Sequence, residues 1–265
     1  MKNKPPYALQ SVDHALQLAV ILQVEGPQTV SDVARRLDVA RSTAHRLLAM
    51  LVYRDFARQG SDRRYYPGPV ISLESGQSDL SALLREISMP HLQVLVDRVG
   101  ESANVMVLAG DHIRFIASVE SRQAFRVGNR EGMVFPAHLT SGGKPMLADL
   151  SAAERAELYA LDRWQGREEE RPDVEMLEKE LEGVRRRGFA INRDRTETGV
   201  TAIGRGLRVQ LRTKAAVTVS MPTVRFSEDR LTDFVNALGL AARDIEHDLE
   251  GALELAAARA AGSGG

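Results

Sequence analysis

The stretch VSDVARRLDVARSTAHRLLAMLV, residues 30–52, has the pattern of two short helices joined by a tight turn. The first helix starts near Thr29 and Ser31, whose hydroxyls can accept bonds from the unpaired N–H groups of a first turn. Asp38 stands where the chain reverses, and Asp adopts the left-handed conformation more readily than most residues. The second helix carries an apolar stripe with the spacing i, i+3, i+4, i+7, formed by Ala44, Leu47, Leu48 and Leu51. The pattern predicts a helix-turn-helix.

The opposite face of the second helix is polar and cationic, which is typical of a helix that enters the major groove of DNA. A small helical hairpin with a solvated basic face is the alternative for this segment alone. On the DNA-binding interpretation, the residues that face the groove are Arg41, Ser42, Thr43, His45 and Arg46.

A β-hairpin is predicted directly after the second helix. Two short β-prone runs, residues 56–59 and 64–66, flank the turn-rich residues 60–63. A hairpin in this position is the wing of a winged helix, and cations on it lie near DNA phosphates, where charge neutralisation dominates affinity. We expect these cations to be Arg58, Arg63 and Arg64. Residues 11–25 supply a supporting first helix, with an apolar face of Val12, Ala15, Leu16, Ala19 and either Ile21 or Leu22.

Charge is distributed unevenly along the chain. Residues 1–73 contain ten Lys or Arg and six Asp or Glu, a net charge of +4, whereas the remainder has a net charge of −5. This asymmetry favours a single nucleic-acid surface, located at the N-terminal end of the chain.

Length and composition restrict the class of protein. The 265 residues are enough for two domains with their own cores. No apolar run approaches 18 residues and no signal-peptide pattern is present, so we expect a soluble, cytoplasmic protein with no membrane contact. The chain has no cysteine, which excludes disulfides and thiolate metal sites.

The chain also lacks the patterns of common catalytic sites. It contains no HExxH or GxSxG motif and no cysteine nucleophile, and its six histidines do not have the spacing of metal ligands. No convergent set of catalytic groups is present. We expect no catalytic residues, no metal ion and no cofactor. An enzyme fused to a DNA-binding domain is the less favoured alternative.

Beyond the wing, helices alternate with strands. A helical stretch at residues 80–87 runs into Pro90, which we expect to break or kink it. Its apolar stripe fits a dimerisation helix or, nearly as well, packing within one chain. Strands are predicted at 103–108, 112–119, 123–127 and 214–221, and helices at 175–187 and from 227 onward. This mixture predicts an α+β domain built on one antiparallel sheet with helices covering it.

Two loops in this domain are candidates for a ligand site. Residues 135–144 contain small and hydroxylated side chains before a helix start, where exposed N–H groups can form an anion site. Residues 188–206 are dense in polar side chains. The two loops are either the rim of a ligand cavity or ordinary surface turns.

Six segments of the chain together resemble the IclR family of bacterial transcriptional regulators, and the resemblance extends from about residue 9 to residue 249. The winged-helix segments are SVDHALQLAVIL (11–22), TVSDVARRLDVARSTAHRLLAMLV (29–52) and RRYYPGPVISLESG (63–76). The segments of the second domain are PAHLTSGGKPMLADLSAAE (136–154), GFAINRDRTETGVTAI (188–203) and VTVSMP (217–222).

The resemblance implies a GAF/PAS-like C-terminal domain that binds a small organic ligand, often an acid or an aromatic catabolite. It also implies dimers, or dimers of dimers, that bind palindromic operators, with repression the more frequent outcome. The family's pocket positions correspond to Ser141, Gly142, Gly143, Asn192, Asp194, Ala202, Thr218 and Ser220. Hydroxyls and exposed N–H groups there can hold a carboxylate, and an apolar side can be lined by Met106, Phe115 or Phe125.

We therefore predict a winged helix-turn-helix domain (residues 8–73), a helical linker (74–90), an effector-binding domain (91–254) and a flexible tail (255–265). The predicted function is ligand-responsive transcriptional regulation through double-stranded operator DNA, as a repressor of a catabolic or metabolic operon. The alternative is a DNA-binding regulator that needs no effector, and a thermal-shift screen with metabolites would distinguish the two.

Overall fold

The structure is a computed structural model that describes residues 7, 9–60, 62–68, 70–71, 78–164, 168–208 and 214–262, without the side chains of 24, 78–79 and 256–262. The chain forms two compact units, which are described separately below. The first comprises Met1–Glu74 with Leu161–Arg171, and the second comprises Ser75–Ala160 with Pro172–Gly265.

The first unit contains the predicted winged helix-turn-helix. Its elements are α1 (Gln10–Glu25), α2 (Val30–Leu37), α3 (Arg41–Tyr53), β1 (Ala57–Gln59) and β2 (Tyr65–Pro67), with β1 and β2 antiparallel. Thr29 caps α2 in a capping box with Asp32, in which each side chain accepts a hydrogen bond from the other residue's backbone N–H. Asp38 has a φ of 52° and ends α2 in the left-handed conformation, which confirms the predicted turn.

Helix α1 packs through a different face from the predicted one. Leu18, Ala19 and Leu22 are buried in the core of this unit, but Val12 and Leu16 are 50 % and 62 % exposed. The expectation that Val12 and Leu16 belong to the core was wrong, because α1 is apolar on two sides and the period alone does not select the side that packs.

The second unit begins with α4 (Ser78–Val99), which is continuous across Pro90. The predicted break at this proline was therefore wrong. Leu84 before the proline and Leu92 after it are fully buried in one core, so packing on both sides holds the helix together despite the missing N–H. Leu83 and Ile87 pack against the same core, and the segment predicted as a linker at 74–90 is thus largely part of the second unit.

The second unit contains a six-stranded antiparallel sheet in the order β5-β4-β3-β8-β7-β6, which confirms the predicted α+β architecture. Residues 123–127 are not a strand, and the loop predicted at 188–206 is the hairpin of the last two strands before β8. The strands are β3 (Ser102–Ala109), β4 (His112–Val119), β5 (Val134–Pro136), β6 (Ala190–Arg193), β7 (Val200–Leu207) and β8 (Ala215–Pro222).

The remaining helices of this unit are α5 (Gly143–Ala148), α6 (Ala152–Leu158), α7 (Val174–Arg187) and α8 (Leu231–Gly262). The segment predicted as a flexible tail, 255–265, is helical as far as Gly262, where α8 ends; residues 263–265 lie outside the described part of the chain. In the described ranges, no helix has both the length and the apolar character needed to cross a bilayer.

The two faces of the sheet have different surroundings because side chains alternate along a strand. Val105, Val217 and Ile203 belong to a large apolar core that also contains residues of α4 and α8, such as Leu92 and Phe234. The residues between them point to the opposite face, where the chain is polar. They include Asn104, Met106, Ala202, Thr218 and Ser220.

Candidate functional site

Helix α3 separates an apolar face from a polar one, as predicted. Ala44, Leu47, Leu48 and Leu51 are buried in the core of the first unit. Arg41, Ser42, Thr43, His45 and Arg46 are all exposed. The structure thus brings the five predicted groove-facing residues together on one surface.

The cations of α3 differ from those of α2 in their partners. Arg35 lies 2.9 Å from the Asp32 carboxylate and Arg36 lies 2.5 Å from Glu25. Within the described part of the chain, neither Arg41 nor Arg46 forms an ion pair. These two guanidinium groups are available to phosphates or base edges.

The wing carries cations in three environments. The Arg58 guanidinium stacks over the ring of Tyr66, 4.6 Å from its centroid. Arg64 is exposed and lies 3.9 Å from the Asp62 carboxylate, which also accepts a hydrogen bond from Tyr66 at 2.9 Å. Arg63 is exposed at the turn, with a φ of 61°. The turn therefore presents Arg63 and Arg64 to solvent, whereas Arg58 contributes to the hairpin itself.

A cavity of about 30 Å³ lies on the polar face of the sheet in the second unit. Seven of the predicted effector residues line it: Met106, Phe115, Ser141, Asn192, Ala202, Thr218 and Ser220. The sequence analysis missed six others: Asn104, Arg130, Phe135, Thr140, Thr196 and Val200. The walls combine aromatic rings with hydroxyl, amide and guanidinium groups, as expected for a site that orients a small polar ligand.

Buried hydrogen bonds connect the polar walls. Asn104 Nδ2 donates to Ser220 Oγ at 3.0 Å, and Ser118 Oγ donates to Asn104 Oδ1 at 2.8 Å. Ser118 Oγ also accepts a hydrogen bond from the backbone N–H of Arg130 at 3.3 Å. These bonds fix Asn104 and Ser220, so the cavity presents polar groups whose positions are set before a ligand arrives.

Arg130 is a functional candidate that the sequence did not reveal. Its side chain is only 9 % exposed and forms an ion pair with Glu197. The guanidinium lies 5.9 Å from the ring centroid of Phe115 and 5.7 Å from that of Phe135. The segment around Arg130 has the sequence pattern of an ordinary polar turn. The one feature that could have pointed to Arg130 is its place as a cation after β-prone apolar residues.

Two glycines at the cavity are required by close backbone approach. A Cβ on Gly204 of β7 would lie 2.4 Å from the carbonyl oxygen of Ser141, and one on Gly143 would lie 2.1 Å from that of Ala137. The backbone N–H of Gly143 donates to Thr140 Oγ1 at 2.8 Å. The N–H of Gly143, one of those predicted to bind an anion at this helix start, is therefore already used. Gly142 and Gly143 shape the wall of the cavity and do not line it.

Two other predicted effector residues lie outside the cavity. Phe125 is 67 % exposed, because residues 120–130 form a surface loop in place of the predicted strand. Asp194 is also exposed; its carboxylate accepts hydrogen bonds from Gly199 N at 2.6 Å and Thr223 Oγ1 at 3.1 Å. Asp194 thus closes the turn between β6 and β7.

His138 is buried in a 3₁₀ turn, Ala137–Leu139, two residues before Thr140 of the cavity wall. Its ring meets that of Tyr159 edge-on, with centroids 6.3 Å apart, and its Nδ1 has no hydrogen-bond partner among the described residues. Burial, together with the nearby charge of His112, lowers the pKa of His138 to about 4. The ring is therefore neutral at pH 7. Across the described ranges, no group of three or more His, Asp or Glu side chains is placed to hold a metal ion.

Two family models match the chain and together span most of it. The model of the C-terminal domain of the bacterial transcriptional regulator IclR matches residues 80–247, and that of the IclR helix-turn-helix domain matches residues 11–61.

Individual relatives are similar over nearly their whole lengths. The HTH-type transcriptional repressor AllR of Escherichia coli K12 is 26 % identical over 255 residues, 94 % of this chain and 92 % of AllR. A solved protein of Rhodococcus sp. RHA1, described as a transcriptional regulator, is 31 % identical with a TM-score of 0.61 and covers 92 % of this chain and 100 % of its own. An IclR homologue of Microbacterium hydrocarbonoxydans, solved as a complex with 4-hydroxybenzoate, is 23 % identical with a TM-score of 0.58, covering 91 % and 99 %.

Proposed function

The chain belongs to the IclR family of bacterial transcriptional regulators and is a DNA-binding regulator, and we propose that it is a repressor controlled by a small organic acid. On this proposal, the exposed face of α3 reads the major groove of a palindromic operator and the wing contacts phosphates. The observation that carries the DNA-binding assignment is the pair of exposed guanidiniums, Arg41 and Arg46, on a helix whose other face is buried. Operator DNA lies in the cytoplasm, where we place the protein.

The effector assignment rests on the cavity of the second unit. Aromatic walls from Phe115 and Phe135 combine there with the buried polar groups of Asn104, Thr218 and Ser220. The complex of the Microbacterium homologue with 4-hydroxybenzoate supports an aromatic or small organic acid as the class of ligand. Since about 30 Å³ holds only about two water molecules, side chains in the walls must move to admit an aromatic acid.

The repressor assignment follows the AllR relative, whose name describes it as a repressor. We further propose that a palindromic site is bound by two copies of the chain, which pair through the exposed apolar stripe on α1. Val12, Leu16 and Val20 are 50 %, 62 % and 57 % exposed on this helix. Analytical ultracentrifugation of Leu16→Glu should show a larger monomer fraction than the wild-type protein, and an unchanged distribution would place the interface elsewhere.

The DNA-binding proposal is tested with a duplex selected from random sequence by the wild-type protein. In a mobility-shift titration, Arg46→Ala should weaken binding to this duplex by about 1–3 kcal/mol if Arg46 contacts a base. Arg122→Ala, an exposed arginine of the second unit, is the matched control and should bind as tightly as the wild type. Unchanged affinity of both Arg46→Ala and Arg41→Ala would contradict the assignment of α3 as the reading helix.

A further inference from the structure

We propose that Arg130 binds the carboxylate of the effector and that Glu197 occupies this position on Arg130 until an effector acid displaces it. This inference rests on the proposed function of the cavity and adds to it an identified charge partner and an exchange step. The ligand class that follows is a carboxylic acid in its ionised form, with an apolar or aromatic body.

Burying the charge of Arg130 costs free energy unless the charge is paired. Arg130 is 9 % exposed, and its guanidinium lies within 6 Å of the ring centroids of both Phe115 and Phe135. A guanidinium in such a site needs a counter-charge, because the aromatic faces compensate only part of the lost hydration. Among the described residues, the acid that pairs with Arg130 is Glu197. A neutral ligand would leave this pair intact, whereas an ionised acid can replace Glu197 without leaving the cation unpaired.

The backbone of Arg130 is also held in place. Its backbone N–H donates to Ser118 Oγ on β4 at 3.3 Å, and its carbonyl accepts a hydrogen bond from Met133 N at 2.9 Å. The neighbouring Gly132 and Met133 are bonded to both backbone groups of Phe115 at 2.9 and 3.0 Å. The backbone of Arg130 is therefore anchored to the sheet, which limits where its guanidinium can meet a carboxylate.

Glu197 can leave without disturbing the sheet. It lies in the turn between β6 and β7, and its side chain is 41 % exposed. Both ends of this turn are tied independently of Glu197: Asp194 Oδ1 accepts from Gly199 N, and Asn192 bonds to Arg195 N and Thr196 Oγ1. Rotation of the Glu197 side chain into solvent therefore makes the Arg130 guanidinium accessible to a ligand, while the turn between β6 and β7 keeps its hydrogen bonds.

The experiment is isothermal titration calorimetry of the full chain with two acids, 4-hydroxybenzoate and acetate, each paired with its neutral amide. Glu197→Gln removes the internal competitor while keeping a hydrogen-bonding side chain of the same size. We expect it to bind at least one acid about tenfold or more tightly than the wild type, with amide binding unchanged. The matched control is Glu228→Gln, which removes the acid of the surface pair Arg193–Glu228 and should bind the acids as the wild type does.

A second set of variants tests the cation itself. Arg130→Met should lose the preference for acid over amide. Arg130→Lys keeps the charge and should retain part of that preference, so it provides the test if Arg130→Met does not fold. Equal acid affinity in the wild type, Glu197→Gln and Arg130→Met would overturn the exchange while leaving the cavity as an effector site. If neither acid binds the wild type or Glu197→Gln, the acid-effector part of the proposed function fails as well.

Discussion

The DNA-binding residues of the first unit and the cavity residues of the second differ in how the fold assembles them. The five on α3 lie within six consecutive positions and are all exposed. The cavity residues are spread from Asn104 to Ser220, and most of them are buried. The periodicity of a single helix thus places the residues of the first site, whereas the residues of the second are placed by strand register across a whole sheet. A register slip of one residue would point Asn104 or Thr218 into the apolar core.

The largest expected effect tests whether the two units have independent cores. Leu48→Ala removes a fully buried side chain of α3 and should destabilise the first unit by about 2–5 kcal/mol. Urea unfolding followed by circular dichroism should show an earlier first transition, and the second unit should keep its own midpoint. Met50→Ala on the same helix is the control, because Met50 is 55 % exposed and its loss should cost little. Equal destabilisation by both variants would break the contrast between the two faces of α3.

The next effect concerns His138, a buried titratable group of the second unit. Because the pKa of His138 is about 4 in the folded chain and about 6.5 when unfolded, the unfolded state binds more protons between these values. Above pH 6.5, His138 therefore does not change the free energy of unfolding. As the pH falls from 6.5 towards 4, it lowers that free energy progressively, by at most about 3 kcal/mol.

The measurement compares urea midpoints of the second unit at pH 7 and pH 5. His138→Gln should flatten the pH dependence, since glutamine does not titrate. The exposed His247→Gln is the control and should retain the slope of the wild type. If the wild type and His138→Gln lose stability equally between the two pH values, His138 does not titrate as stated.

A smaller effect separates ligand sensing from DNA binding. The double variant Thr218→Ala, Ser220→Ala removes two cavity hydroxyls, each of which contributes about 0.5–1.5 kcal/mol if it bonds the ligand. Operator affinity without ligand should be unchanged, and the ligand concentration needed for half-maximal release should rise about tenfold. Mobility-shift titrations at fixed protein and rising ligand measure both quantities. An unaltered response in a folded double variant would show that the ligand binds elsewhere.

The smallest effect distinguishes the wing from α3. Arg63→Ala should weaken binding to specific and random duplexes alike, and the slope of log affinity against log salt should decrease by about 1. Arg46→Ala should instead reduce the preference for the selected duplex. Fluorescence anisotropy at several salt concentrations resolves the two behaviours. A loss of sequence preference in Arg63→Ala would mean that the wing reads bases.

The sequence was sufficient where local pattern determines structure. The helix-turn-helix, the wing and the β-prone run at 214–221 follow from periodicity, capping and turn chemistry, and the structure confirms them, with β8 at Ala215–Pro222. The cavity's hydroxyls at Ser141, Thr218 and Ser220 were predicted through family resemblance. Their convergence on one face becomes visible only with the register of β3, β7 and β8.

The failures have a common physical origin in long-range packing. Pro90 did not interrupt α4, because Leu84 and Leu92 are buried on either side of it. Arg130 acquires its significance from Phe115, Phe135 and Glu197, none of which is its neighbour in sequence. Asp194 matched a family pocket position but is used to close a turn. No local pattern contains this information.

The unbroken helix α4 has a consequence for protein engineering. A biosensor could join the second unit to another DNA-binding module, and sequence inspection alone would place the junction at Pro90. Cutting at Pro90 would remove Leu84, a fully buried side chain, and leave a hydrophobic gap against the sheet. The fusion point should therefore lie before Ser78, so that the transplanted second unit keeps the whole of α4.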